Sequence, residues 1–100
     1  MSCAGGGLTL ALMQRLAQEG LGLPAALGLM APWCDLRNAG DTLTTLTGID
    51  PVLQYDQNLA GPALDYVGGD AARLSDPLVS PLLADYGNGR PFPATLIQVG

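Results

Sequence analysis

The sequence predicts an α/β fold in which a few parallel strands are flanked by helices. Apolar residues follow a helical period from Gly6 to Glu19, and short apolar runs follow at residues 25–30 and 94–99. A strand that is covered on both faces of a parallel sheet needs such a run without polar alternation. Charged residues make up 13% of the chain, against about 25% in a typical globular protein. This low charge is typical of a segment whose surfaces face other parts of a larger core.

The first element is predicted to be an amphipathic helix. Leu8, Leu12 and Leu16 recur every four residues, which places them on one face of a helix. Gly20 is expected to follow the helix as its C′ residue, because glycine adopts the left-handed conformation at little energetic cost. Pro24 then prevents the helix from resuming.

The two apolar runs are interpreted as strands. For residues 25–30 the period alone does not separate a buried strand from a buried turn of helix. The short length of this run, and the prolines that flank it, favour a strand. If the residues before Cys3 belong to a strand, the order is strand, helix, strand.

The middle of the chain is predicted to be loops and short helices. Residues 37–48 read as a loop with a short helical turn after Asp41, and Asp50 caps a helix that begins beside it. This helix is expected to be interrupted at Gly61-Pro62 and to end at Gly68-Gly69. Further turn signals are Ser75-Asp76-Pro77, Ser80-Pro81 and Gly87-Asn88-Gly89.

The first residues of the chain carry a motif with known chemistry. They read Met1-Ser2-Cys3-Ala4-Gly5, which matches the nucleophile elbow G-x-S-x-G with methionine for the first glycine and cysteine for the serine. In that elbow, small neighbours of the nucleophile let substrate and backbone amides approach it. The nucleophile needs a general base, usually histidine, and the sequence contains no histidine.

Four sequence blocks extend this likeness along the chain. They are residues 3–8 (CAGGGL), 31–36 (APWCDL), 76–85 (DPLVSPLLAD) and 93–100 (PATLIQVG). In order and spacing the chain resembles the α/β-hydrolase carboxylesterases of the hormone-sensitive-lipase type, whose members read approximately GDSAGGGL, LSPWLDL, DPLxSPLxADL and PPTLIQVG.

The resemblance implies a partial α/β-hydrolase fold, truncated at both ends and forming a single domain over residues 1–100. Residues 1–36 would supply an elbow-like turn, a helix and a strand. Residues 37–92 would form a cap-like region of helices and loops, and residues 93–100 a strand. The resemblance requires residues 25–30 and 94–99 to pair in parallel.

The resemblance also implies roles for two residues of the elbow. Cys3 occupies the nucleophile position, and the amide of Ala4 occupies the position of one oxyanion-hole donor. A helix N-terminus there can favour the thiolate. The triad acid of the family lies just past Gly100. The alternative is that Cys3 is a terminal residue with ordinary thiol reactivity.

Three aromatic residues are candidates for substrate binding. Trp33 follows the first predicted strand, and ligands of open α/β sheets bind at the carboxyl ends of strands. Tyr55 and Tyr66 correspond to cap residues that line an acyl pocket in the family. The alternative for all three is packing in the core or on helix faces.

Composition excludes several other functions. The net charge is −5 and the arginines are far apart, which argues against nucleic-acid binding. No apolar stretch reaches the ~20 residues of a membrane span, and no signal peptide is evident. Two cysteines without histidine predict neither a metal site nor a cofactor. A cytoplasmic location is expected, with Cys3 and Cys34 as thiols near neighbouring strand ends.

The resemblance therefore implies a fragment of a carboxylesterase that acts on short to medium acyl esters. We expect this chain to be inactive alone, because the histidine and the triad acid are absent. An alternative is a non-catalytic structural module that self-associates through exposed sheet edges. A third hypothesis is a remnant that binds small apolar esters through Trp33, Tyr55 and Tyr66.

Overall fold

A computed structural model of the protein describes residues 3–87 and 91–99. Three α-helices and two strands make up its regular structure: α1 (Cys3–Gln18), β1 (Ala26–Pro32), α2 (Asp41–Thr45), α3 (Ala60–Tyr66) and β2 (Ala94–Gln98). A π-helical turn, Tyr55–Leu59, leads into α3, and 3₁₀ turns lie at Ala71–Ser75 and Pro81–Leu83.

The two strands form a parallel sheet. Ala26 pairs with Ala94, and the register continues without a break to Met30 and Gln98. Both apolar runs are therefore strands, and the predicted parallel pairing is confirmed. The long connection between them contains α2 and α3, as a parallel pair requires a crossover instead of a hairpin.

Helix α1 packs on one face of β1 and leaves both faces of β2 exposed. Leu29, in the middle of β1, is 1% exposed, and Leu10 and Met13 are buried on the side of α1 that packs against the sheet. Alternate residues of a strand point to opposite faces. Met30 of β1 and Leu96 of β2 lie on the other face and are 55% and 72% exposed. Within the described residues, this second face has no covering layer.

A second cluster of buried side chains forms beyond the carboxyl end of β1. Leu36 packs there with Ala63 and Val67 of α3 and with Val79, and Trp33 and Leu74 pack partly against the cluster. This cluster fixes α3 beside the loop that follows β1.

The bounds of the first helix and of the strands agree closely with the prediction, but the predicted apolar face of the helix was wrong. Leu8 and Leu12 are 58% and 51% exposed, because the sheet packs against the opposite side of the helix, where Leu10 and Met13 are buried. Helix α1 begins three residues earlier than expected, at Cys3, and ends at Gln18. Gly20 has φ +71°, as predicted for a C′ residue. The short helix after Asp41 is also confirmed, as α2. The predicted turn at 87–89 falls largely on residues outside the described part.

The prediction for residues 50–62 was wrong in two respects. The carboxylate of Asp50 accepts hydrogen bonds from the amides of Val52 and Leu53, at 2.8 and 3.0 Å, which lower its pKa. These bonds close a turn and start no α-helix. Pro62 does not interrupt a helix, because it lies in the first turn of α3, where its missing N–H has no intrahelical acceptor.

Candidate functional site

The predicted elbow lies at the carboxyl end of β1. Cys3 forms an isolated parallel bridge with Pro32, and its carbonyl oxygen accepts a hydrogen bond of 2.9 Å from the amide of Trp33. Helix α1 begins at the same residue. The chain therefore turns from extended pairing into a helix at Cys3, whose side chain is exposed.

Two strained residues adjoin this turn. Cys3 has φ +44° and Ala31 has φ +45°, and these are the non-glycine residues with positive φ in the part of the chain that the structure describes. This conformation costs a non-glycine residue about 1–2 kcal/mol. Such strain concentrates at functional sites. Because Ala31 precedes Pro32, the partner of Cys3, both strained residues lie at one point of the fold.

The first turn of α1 supplies backbone donors beside Cys3. The first four amides of an α-helix have no acceptor within the helix, and Ala4 is the second residue of α1. Its N–H is thus placed where a hydrogen bond to an oxyanion next to Cys3 could form. The catalytic roles of Cys3 and Ala4 stay predictions.

Gly7 allows α1 to approach the end of β1 closely. A Cβ atom on Gly7 would overlap the carbonyl oxygen of Trp33. The third glycine of the Gly5-Gly6-Gly7 run therefore has a packing function that the motif alone does not reveal.

An apolar hollow of about 150 Å³ opens between the start of α1 and α3. Three of the predicted site residues line it together: Ala4, Trp33 and Tyr66. Leu8, Pro62 and Leu78 contribute further apolar walls. The fold thus brings together residues that are far apart in sequence and places them next to Cys3.

Tyr55 is not among the residues that line this hollow. Its hydroxyl donates a hydrogen bond of 2.9 Å to the carbonyl oxygen of Leu36, and the ring is half-buried. The structure thus gives Tyr55 a role in holding the loop after β1. Its predicted contact with substrate stays a prediction.

Asp35, in the same loop, pairs with Arg37. One carboxylate oxygen accepts from the Arg37 backbone amide at 3.0 Å and from Nε at 2.9 Å, and the other accepts from Nη2 at 2.8 Å. The Arg37 hydrogen bonds lower the pKa of Asp35, although partial burial opposes them. This geometry makes Asp35 a structural anion, whose two carboxylate oxygens both bind Arg37.

The lowered pKa of Asp35 predicts an acid-dependent loss of stability. Because the folded-state pKa lies below the ordinary value of 3.8, the pair stabilises the fold above about pH 4 and loses its effect as pH falls through the folded-state pKa. Asp35→Asn should therefore destabilise the fold by about 1 kcal/mol at pH 7. Urea unfolding at pH 7 and pH 2.5 measures this, with the exposed Asp56→Asn as control. An equal loss at both pH values would contradict the assignment.

The two cysteines lie in different environments. Both are free thiols; Cys3 is exposed, whereas Cys34 is partly buried, and burial raises the pKa of its thiol. Backbone pairing brings Cys3 next to Trp33, the neighbour of Cys34. Both cysteines therefore lie near the carboxyl end of β1, and neither forms a disulfide.

Ser80 binds the loop of the candidate site, although the sequence predicted only a turn at Ser80-Pro81. It is fully buried, and its hydroxyl oxygen accepts a hydrogen bond from the Leu36 amide at 2.9 Å. In the sequence, Ser80 is marked only as part of the Ser80-Pro81 pair, which lies within the third block of the resemblance.

Neither a metal centre nor a membrane span is evident in residues 3–87 and 91–99. No three histidine, cysteine, aspartate or glutamate side chains of this part group as metal ligands. None of its helices has the length and apolar content that crossing a bilayer requires.

Comparison with known proteins gives consistent matches over the whole chain. A model of the alpha/beta hydrolase fold family matches residues 2–100. The putative acetyl-hydrolase LipR of Mycobacterium tuberculosis is 43% identical over 82 residues, which are 82% of this chain and 25% of that protein. An esterase of Acinetobacter venetianus is 36% identical over 99 residues, which are 99% of this chain and 31% of that protein.

Solved structures agree with these relatives. The hormone-sensitive-lipase homologue EstE7 from a metagenome library has a TM-score of 0.84 at 35% identity, covering 98% of this chain and 32% of that chain. An esterase from the bacterial hormone-sensitive lipase family has a TM-score of 0.80 at 35% identity, covering 98% of this chain and 31% of that chain.

The chain spans between a quarter and a third of the length of these relatives. Its parallel strands, its turn at Cys3 and its fold likeness agree with the predicted partial α/β-hydrolase fold, which is confirmed. The chain belongs to the alpha/beta hydrolase fold family, among the esterases of the hormone-sensitive-lipase type.

Proposed function

We propose that this chain is the nucleophile-elbow segment of a carboxylesterase, with Cys3 as the acyl acceptor and the Ala4 amide as one oxyanion donor. The observation that supports this most directly is the strained turn at Cys3, which presents an exposed thiol at the start of α1. The apolar hollow beside it offers a place for the acyl chain.

The size of the hollow favours short acyl groups. Its volume of about 150 Å³ equals that of a dry protein cavity that holds benzene. An acyl chain of up to about six carbon atoms therefore fits, and each buried methylene contributes ~0.8 kcal/mol to binding. Trp33 and Tyr66 would flank this chain. Longer acyl groups would have to extend out of the hollow.

The chemistry of this segment stops at an acyl-enzyme. The Cys3 sulfur attacks the ester carbonyl, the bond to the alcohol oxygen breaks, and a thioester forms while the alcohol leaves with the thiol proton. Release of the acyl group requires an activated water molecule. With no histidine in these 100 residues, the ~10²- to 10⁴-fold acceleration that a general base supplies is missing. The rest of a full-length esterase would have to supply it.

Incubation with p-nitrophenyl butyrate tests this proposal. We expect release of one equivalent of p-nitrophenol per chain, formation of a butyryl thioester on Cys3 detectable by mass spectrometry, and negligible further turnover. Cys34→Ser should behave like the unmodified chain, because burial disfavours the Cys34 thiolate. Sustained turnover, or an equal burst from Cys3→Ala, would refute the proposal.

A second candidate function is a self-associating, non-catalytic module. The observation that favours it is the uncovered sheet face, where Met30 and Leu96 are exposed, because exposed edges and apolar faces recruit partners. Size-exclusion chromatography with light scattering distinguishes the two candidate functions. A monomeric chain at micromolar concentration would rule out the self-associating module. A cytoplasmic location and the absence of nucleic-acid binding stay predictions from the sequence.

A further inference from the structure

The loop that follows β1 connects every part of the candidate site. Its first residue, Trp33, binds the Cys3 carbonyl through its amide and lines the hollow. Its last residue, Leu36, belongs both to the hollow and to the buried cluster with α3. The position of residues 33–36 therefore determines the shape of the hollow and the support of the elbow.

Ser80 binds this loop from a distant part of the chain. Its hydroxyl oxygen accepts a hydrogen bond from the Leu36 amide at 2.9 Å and donates one to the Leu74 carbonyl at 2.6 Å. Ser80 is 0% exposed, so no water can replace either bond without a rearrangement. A buried amide that loses its partner is strongly unfavourable.

Two further bonds act on the same loop. The amide of Leu82 donates to the Cys34 carbonyl at 2.9 Å, and the Tyr55 hydroxyl donates to the Leu36 carbonyl at 2.9 Å. The peptide groups on both sides of Leu36 are therefore bound, one by Ser80 and one by Tyr55. These bonds restrain the backbone of the loop at Cys34 and Leu36.

We propose that Ser80 is a positioning residue, which fixes the loop of residues 33–36 and thereby holds the acyl-binding hollow and the elbow at Cys3 in place. The importance of Ser80 for ester binding rests on the proposed function. The effect of Ser80 on the loop is independent of that function, and it is therefore tested by thiol labelling without any ester.

The two thiols of the chain report on the loop. Cys34 lies inside the loop and is partly buried, whereas Cys3 is exposed. In Ser80→Ala we expect Cys34 to react at least tenfold faster with 5,5′-dithiobis(2-nitrobenzoate), because the loop opens more often, while Cys3 reacts at an unchanged rate. We also expect the fluorescence of Trp33, the single tryptophan of the chain, to shift to longer wavelength.

Two controls separate loop opening from general loss of stability. Ser75→Ala, at an exposed serine, should change neither rate. Met13→Ala removes a buried side chain of α1, away from the loop, and should raise the Cys34 rate only in proportion to global unfolding. The proposal is overturned if Ser80→Ala leaves the Cys34 labelling rate unchanged. It is also overturned if the rate rises only in proportion to the loss of global stability, as in Met13→Ala.

Tyr55→Phe gives a second route if Ser80→Ala fails to fold. It removes only the hydroxyl that binds the Leu36 carbonyl, at a half-buried position. We expect a smaller rise of the Cys34 rate, in the same direction and again without a change at Cys3. No rise in Tyr55→Phe would count against a loop held by these bonds. The two proposals can fail separately. If the Cys34 labelling rates change as expected but p-nitrophenyl butyrate gives no burst, the positioning role of Ser80 stands and the esterase proposal is rejected.

Discussion

Leu29→Ala is expected to lower the free energy of unfolding by about 2–5 kcal/mol, the range for truncating a buried leucine. Leu29 is 1% exposed and lies under α1 in the middle of β1. Its removal leaves a cavity between the helix and a sheet of only two strands. A sheet of this size is marginal without packing from a helix, so the substitution weakens the contact on which the sheet depends. Urea unfolding followed by Trp33 fluorescence measures the effect.

Leu96→Ala is the matched control for this experiment. Leu96 lies in β2 and is 72% exposed, on the face that no described residue covers. Its truncation should change the free energy of unfolding by no more than about 0.5 kcal/mol, as is usual for surface positions. Comparable losses for the two variants would show that Leu96 is buried in solution, which is the behaviour of a self-associating chain.

Gly7→Ala is expected to destabilise the protein by about 2 kcal/mol. The new methyl group would overlap the Trp33 carbonyl oxygen, and severe overpacking against backbone costs about 3 kcal/mol, the upper end of the usual range. The gain in helix propensity, about 1 kcal/mol, offsets part of this cost. A backbone carbonyl cannot rotate away as a side chain can, so α1 must move from β1. This movement should also break the hydrogen bond between Cys3 and Trp33.

Gly61→Ala tests whether the effect of Gly7→Ala is steric. Gly61 also lies in a helix, and a Cβ atom there would have nothing within 4 Å. We expect the free energy of unfolding to stay constant or to rise by up to about 1 kcal/mol. Chemical denaturation of both variants measures the difference. A Gly7→Ala variant as stable as the unmodified chain would show that α1 does not approach Trp33 as closely as described.

The regular elements could be predicted because their signals are local. The leucines of α1 recur at helical spacing, and Gly20 follows the helix with the positive φ that glycine tolerates. The apolar runs of β1 and β2 are short; the first lies between Pro24 and Pro32, and the second follows Pro93. Their parallel pairing followed from the resemblance to α/β hydrolases, since no pattern within either strand states its direction or its partner.

The middle of the chain was harder to predict because tertiary contacts decide it. Gly61 and Pro62 were read as a break in a helix, yet they form the first turn of α3. The buried Ala63 and Val67, packed against Leu36, hold this helix in place. Intrinsic propensity is a weak prior that such packing overrides.

Some residues of the candidate site could be predicted from the sequence, and others could not. The motif at the start of the chain identified Cys3 and Ala4, because an elbow needs a nucleophile and small neighbours in consecutive positions. Ser80 could not be found by this reasoning. Its contacts, Leu36 and Leu74, lie 44 and 6 residues away, and a serine before a proline is by itself only a turn signal.

By itself the sequence determined the family, the candidate nucleophile position and the lack of an imidazole base in these 100 residues, since these depend on residue identity and on short spacings. Only the tertiary structure decided which leucine of an unbroken apolar run is buried, why Gly7 must lack a side chain, and that Ser80 and Tyr55 bind the two peptide groups that flank Leu36. These features depend on distances between residues that are remote in sequence, and folding alone sets those distances.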